Sequence, residues 1–266
     1  LSYLVTSQVV QTQVIELTER VRDFFVEATK GNIVGQTTGN VFAQNDVVGT
    51  IEEDIQSQGG TLVFLQNAQL ITLSSSDAAD TIAGANARTI EIVGLDENFI
   101  EISEIVNLLG TSDVNTTQEY IRINRLVVNE VGTYTVSNAG IITATAALSA
   151  TVQIEIPLGE GVSKSSHYTV PAGQRLIVTR IFVSVDTGKE VDIMLKTRAN
   201  ADDTVAPFSP VIIPRIVKGI SVPINAEQRA GILLDEKTDI WGTALTSIGT
   251  SEVEINVDFV QYAIGQ

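Results

Sequence analysis

The 266-residue chain has no cysteine, which excludes disulfide scaffolds, thiolate metal sites and a cysteine nucleophile. Its one histidine, His167, removes multi-histidine zinc and iron sites and leaves a Ser-His-Asp arrangement open only through that residue. Aromatic residues make up 5%, with a single Trp, which is little material for the stacking platforms that sugar-binding surfaces use. Basic residues are also scarce. There are 16 Lys and Arg against 32 Asp and Glu, a formal net charge of −16. Affinity for phosphate comes largely from clustered cations, so neither nucleic acid nor an anionic membrane surface is an expected partner. No apolar run reaches the ~18–20 residues that span a bilayer. The start, Leu1-Ser2-Tyr3-Leu4, lacks the basic and apolar regions of a signal peptide, and without a Met it suggests an N-terminus further upstream.

What the chain has is β-branched side chains. Val (32), Ile (30) and Thr (28) make up about a third of it, with 20 Gly as turn material, a composition that points to a mainly β protein. The first 31 residues differ. Val10, Val14, Leu17, Val21, Phe24 and Ala28 recur at alternating steps of four and three, the spacing of a helix that meets other helices. Gly31 stands where a C-terminal cap belongs. Three readings fit: an amphipathic helix packed on its own body, a parallel bundle at a three-fold axis, or a segment that begins as a strand over 5–14.

From residue 32 onward the pattern predicts strands at 47–51, 61–65, 69–73, 88–95, 99–108, 120–128, 133–136 and 141–146. A second set is expected at 152–156, 167–170, 175–185, 191–198, 211–213, 220–222, 231–234, 240–245 and 252–262. Asp96-Glu97-Asn98 reads as a hairpin turn. In 99–108, Glu104 interrupts the alternation of Ile100, Ile102 and Val106. Either it faces inward and finds a partner, or a bulge shifts the phase near Ile105; the cost of a buried carboxylate favours the bulge. The last strand alternates most strictly, with Val253, Ile255, Val257 and Phe259 on one face and Glu252, Glu254, Asn256 and Asp258 on the other, as in a half-buried antiparallel sheet. The expected organisation is an N-terminal amphipathic helix (1–31) followed by two antiparallel, jelly-roll-like β-sandwich modules (32–150 and 151–266).

Chemistry is harder to find. Dinucleotide, P-loop, HExxH and nucleophile-elbow motifs are missing. Ser163, Ser165 and Ser166 precede His167, but neighbours on an extended chain point to opposite faces, so Ser166 and His167 do not converge. The acid pairs Glu52-Glu53-Asp54, Asp77 with Asp80, Asp96-Glu97, Asp202-Asp203 and Asp235-Glu236 are expected to be solvated turn residues, with calcium ligation or acid catalysis as the alternatives. Trp241 reads as core filling. Arg122 and Arg125 interrupt an apolar strand, as salt-bridge partners or as interface residues. No metal or cofactor is expected.

The stretch 89–104, with Gly94, Asp96 and Glu101-Ile102-Ser103-Glu104, runs through Leu109-Gly110-Thr111 to Tyr120-Ile121-Arg122-Ile123-Asn124-Arg125. It resembles a segment found in virion structural proteins of tailed bacteriophages of marine and cyanobacterial type. The stretch 168–175, with Glu236-Lys237-Thr238-Asp239-Ile240 and the last strand, looks like a second β module from such proteins. The resemblance implies a non-enzymatic virion protein, a capsid decoration or head fibre located in the virion. It would assemble with itself, as a homotrimer, and with the major capsid protein or a tail component. A tail-fibre protein contacting host surface polysaccharide is the alternative, and a polysaccharide-degrading enzyme a remote one.

Overall fold

The computed structural model describes residues 24–186 and 188–265. Among these, every strand pairing is antiparallel, and the protein is mainly β, as its composition requires. No helix there is long and apolar enough to cross a membrane.

Of the expected N-terminal helix, Val10, Val14, Leu17 and Val21 lie outside the described residues. Its end is α1 (Phe24–Thr29), in which Ala28 is 2% exposed and Phe24 44%. Gly31, at φ 73°, donates to Ala28 O, and Asn32 donates to Glu27 O. This paired closure is the Schellman cap that the glycine foreshadows.

Two sheets share one core. The first runs β1 (Gln36–Val48), β16 (Ser251–Ala263), β11 (Gln174–Val185), β14 (Ile224–Leu234). The second runs β10 (Tyr168–Thr169), β15 (Asp239–Thr246), β12 (Val191–Arg198), β13 (Ile212–Ile220), with β2 (Glu53–Asp54) also on β15. Ala43, Val48, Ile55, Val183, Ile193, Leu195, Ala244, Val253 and Ile255 fill the space they enclose. A second pair of sheets shares a second core. One is β6 (Val114–Tyr120), β3 (Gln69–Ser75), β8 (Ile142–Ala146), β9 (Val152–Ile156), and the other β5 (Glu101–Asn107), β4 (Ala87–Leu95), β7 (Arg122–Val131). Ile71, Leu73, Ile90, Ile92, Leu126, Ile142 and Ile154 are among its buried residues.

The cores do not divide at 150/151. That expected boundary falls between β8 and β9, which pair with each other, while β1 pairs with β16 at the far end of the chain. The chain therefore begins one unit with β1 and β2, builds the other over β3–β9, and returns to finish the first. Alternation tells which residues of a strand face inward, and not which strand lies beside it.

Strand 252–262 fulfils its pattern. β16 is flanked on both sides, by β1 and β11, with Val253, Ile255, Val257 and Phe259 buried. Gly39 sits directly opposite Phe259, and a Cβ at Gly39 would overlap that ring. The ring cannot easily yield, because it also packs on Tyr168 at 5.2 Å between centroids. A Gly39→Val variant should lose ~2 kcal/mol of stability through overpacking, read by urea denaturation.

Three strand expectations are corrected. Segment 61–65 is not a strand: the Leu62 N–H goes to Asp54 and the Leu65 carbonyl to Arg122. Segment 133–136 is a turn, with Thr135 at φ 75°. The bulge near Ile105 is absent. β5 pairs with β4 in unbroken register, Glu104 opposite Ile92, so Glu104 stays in phase with Ile102 and Val106. Its carboxylate accepts from the Thr117 N–H at 2.9 Å, the Thr117 hydroxyl at 2.6 Å and the Gln118 N–H at 3.2 Å. Those donors lie on β6, a strand its sequence Val-Asn-Thr-Thr-Gln-Glu-Tyr does not advertise, and they remove the cost that made the bulge attractive.

Candidate functional site

The polar residues singled out in the sequence converge where the two units meet. Arg122 opens β7 in one unit and Asp239 opens β15 in the other. The guanidinium donates from Nε to Asp239 Oδ1 at 2.9 Å and from Nη2 to Oδ2 at 3.2 Å, and from Nη1 to the carbonyls of Leu65 and Ile121. Asp239, fully buried, also accepts from the Thr169 hydroxyl at 2.7 Å, with Arg198 Nη2 3.6 Å away. The Phe64 and Phe99 rings lie 4.8 and 5.6 Å from the Arg122 guanidinium carbon. This is a two-pronged, desolvated ion pair whose Nη1 donors are both taken up by main-chain carbonyls. Asn124 adds two bonds to the Thr169 main chain. Arg122 is thus a salt-bridge residue, while Arg125 forms no ion pair among the described residues and lines the cleft between the units.

Beside this pair, His167 Nε2 lies 3.0 Å from Asp54 Oδ2, and Nδ1 lies 3.0 Å from Ser165 Oγ. If the Ser165 hydroxyl donates to Nδ1, the Nε2 proton serves Asp54. The imidazole is nearly parallel to Trp241 (6.4 Å, 10°) and edge-on to Phe64, which makes Trp241 the core residue it was expected to be. Ser166 does point away, bonding the main chain of Gly242. Ser165 was the residue to weigh. Two positions before His167 on an extended segment, it shares that residue's face. Asp54, from β2, could not be foreseen from local spacing. The three side chains form the hydrogen-bond series that activates a nucleophilic hydroxyl, with Ser165 only 6% exposed at the wall of the cleft between the units. What the series does in the folded chain is fasten 163–169 to β2.

The expectation of solvated acid pairs holds for some and fails for Asp54 and Asp80. Asp202 pairs with Lys237 at 2.7 Å and Asp235 with Arg175 at 2.8 Å, both at the surface. Asp80 is fully buried. Its Oδ1 accepts from the N–H groups of Ala87 (3.2 Å) and Ala139 (2.8 Å), its Oδ2 from the Ser75 hydroxyl (2.6 Å) and Gly140 N–H (2.9 Å). Among the described residues no three His, Cys, Asp or Glu side chains gather as a metal-binding group.

A cleft of about 1400 Å³ opens between the units, lined among others by Asn40, Glu101, Arg125, Tyr168, Arg180 and Gln261. Burial pushes the Glu101 carboxyl above its usual range, and burial followed by the Glu101 charge raises the Tyr168 phenol. Elsewhere, burial raises Glu155. Glu252 is raised by burial and then by the charges of Asp46, Glu254 and Asp186, against a lowering bond from Gln44. A carboxyl raised on folding binds its proton more tightly in the native chain. Its contribution is most favourable at low pH and declines as pH rises from the ordinary value of 4.5 through the raised one. Glu252→Gln should therefore raise the melting temperature at neutral pH, and the gap from the parent should close on acidification toward 4.5. A gap independent of pH in calorimetry would contradict the assignment.

No family model matches the chain, and no curated protein matches it. Solved structures with some likeness include T=1 particles derived from infectious bursal virus, 10% identical over 86% of this chain and 74% of that one, at a TM-score of 0.23. The PBSX exported protein XepA is 8% identical over 84% of each chain, at 0.18. The VP2 subviral particle of infectious bursal disease virus is 10% identical over 91% and 83%, at 0.17. TM-scores this low carry no argument about the present chain.

Proposed function

We propose that the protein is a non-enzymatic structural component of a tailed-bacteriophage virion, a capsid decoration or head-fibre protein that acts by protein–protein contact. In this reading each unit is a β-sandwich of jelly-roll-like kind. The chain assembles with itself as a homotrimer, through the seam of Val10, Val14, Leu17, Val21, Phe24 and Ala28, and docks on the major capsid protein or a tail component. It needs no cofactor.

One observation carries the reading. The buried charged and titratable groups spend their hydrogen bonds on joining segments of the fold: Asp80 on four donors, Arg122 and Asp239 across the two units, and Asp54 and His167 between β2 and the 163–169 segment. Arg122, within the phage-like stretch, is one of these joints, and Asp96 is another local one, its carboxylate accepting from Asn98 and Ile100 to close the β4–β5 turn. A receptor-binding role toward host polysaccharide is the second reading. The cleft favours it, because amides, carboxylates and a guanidinium there suit sugar hydroxyls.

Bacterial surface polysaccharides on an array, with a depolymerase assay and p-nitrophenyl acetate hydrolysis, separate the three classes. The structural reading expects neither binding nor turnover. Glycan binding without cleavage, lost on Arg125→Ala, would move the assignment to the fibre reading. Ester hydrolysis abolished by Ser165→Ala would overturn the non-enzymatic one.

A further inference from the structure

In a chain with 32 acidic residues, the stretch 204–226 has none. It carries Arg215 and Lys218, four of the six prolines, and a run of Val and Ile. β13, which occupies most of it, is an edge strand paired only with β12. An edge strand normally buries one face. β13 buries Ile220 and packs Val217 on the core only toward its end; before that Ile212 (58%), Ile213 (47%) and Ile216 (49%) are all exposed, so apolar side chains stand out on both faces there. Phe208 and Val211 extend the exposed apolar surface along the chain. Such a strand offers unpaired backbone groups and apolar area together, which soluble proteins normally blunt or cover. Pro214 has no N–H to offer, so the backbone open to pairing begins at Arg215. The cations on it are little used. Arg215 donates to Gln228 and to the Pro214 carbonyl, neither a carboxylate. Lys218, 68% exposed, lies 3.7 Å from Asp192.

The opposite side of the same unit has the complementary character. β1 and β14 are the two edges of one sheet, and the Arg215–Gln228 bond places β13 beside β14. At the β1 side, Asp46, Glu252, Glu254 and Asp186 crowd together, closely enough that, after burial, the charges of Asp46, Glu254 and Asp186 raise Glu252. Gln44 bonds both Asp46 and Glu252, and the nearby Lys164, which donates to Gln44, is paired with Glu160. Val47 (63%) and Ile51 (82%) are exposed next to the acids.

We propose that β13 docks on a second copy of this chain, with Arg215 and Lys218 meeting the neighbour's Asp46, Asp186, Glu252 and Glu254, and Ile213 and Ile216 covering its Val47 and Ile51. A second copy is the occupant that charge complementarity favours, since this acid-free strip with Arg215 and Lys218 lies opposite the chain's own crowded carboxylates. The two surfaces differ, so the contact is head-to-tail and repeats into a ring or an open row. This deepens the self-assembly part of the structural reading but uses no residue of the N-terminal seam.

The test is sedimentation velocity of the full chain, native and in two charge-reversed forms, Arg215→Glu/Lys218→Glu and Glu252→Lys/Glu254→Lys, with circular dichroism to confirm folding. The native chain should self-associate, less so as salt screens the contact. Each reversed form should associate ~10-fold or more weakly through like-charge opposition. An equimolar mixture should recover association, because each reversed surface then finds its complement. If a reversed form misfolds, Ile216→Asp replaces it and should weaken association in the same way. A native chain that stays monomeric overturns the proposal, as does a mixture that fails to recover. Assembly unchanged in both reversed forms also overturns this surface, while leaving assembly through another seam standing.

Discussion

An Arg122→Leu variant should lose ~3–5 kcal/mol of stability, because it leaves the Asp239 carboxylate buried without its cation. Asp239 is fully buried, and Arg198, at 3.6 Å from Oδ2, is the cation left to it. The Leu65 and Ile121 carbonyls lose their donor as well. The double variant Arg122→Leu/Asp239→Leu should recover much of the loss, since exchanging a whole buried ion pair for apolar groups is far cheaper than breaking one. Urea denaturation of both singles and the double closes the cycle. Additive losses would show that the pair does not couple the two units.

Asp80→Ala should rank beside it, at ~4–5 kcal/mol, because four donors lose their acceptor in a site without solvent. Those donors come from three separated places, Ser75, Ala87 and 139–140, so one carboxylate ties together the start of β4, the end of β3 and the approach to β8. Asp80→Asn is isosteric yet should recover only part of the loss. Both carboxylate oxygens face two donors each, and an amide would turn its own N–H groups toward one of those pairs. Hydrogen exchange should show 75–87 and 138–142 opening together in the Ala variant, while β16 keeps its protection.

The sequence makes individual strands legible where one face is buried, and pairing illegible throughout. β16 shows both. Its alternation marks Val253 to Phe259 as inward, but nothing local says that β1, more than 200 residues earlier in the chain, lies against it. The misplaced module boundary is the same gap seen at larger scale. Glu104 shows that burying a carboxylate is expensive only when donors are missing, and its donors arrive from a strand of polar residues that carries no apolar signal. Asp54, Asp80 and Asp239 sit in stretches that read as turns or strand ends, and only tertiary structure separates such residues from solvated ones. Ser165 was accessible from sequence, because the two-residue step to His167 places both on one face.

The virion role is tested most directly by imaging purified phage particles from a lysate that contains this chain, labelled with an antibody against it. The structural reading predicts label at repeated, symmetry-related positions on intact particles and co-sedimentation of the chain with them. Full recovery of the chain in the soluble fraction, with unlabelled particles, would contradict it.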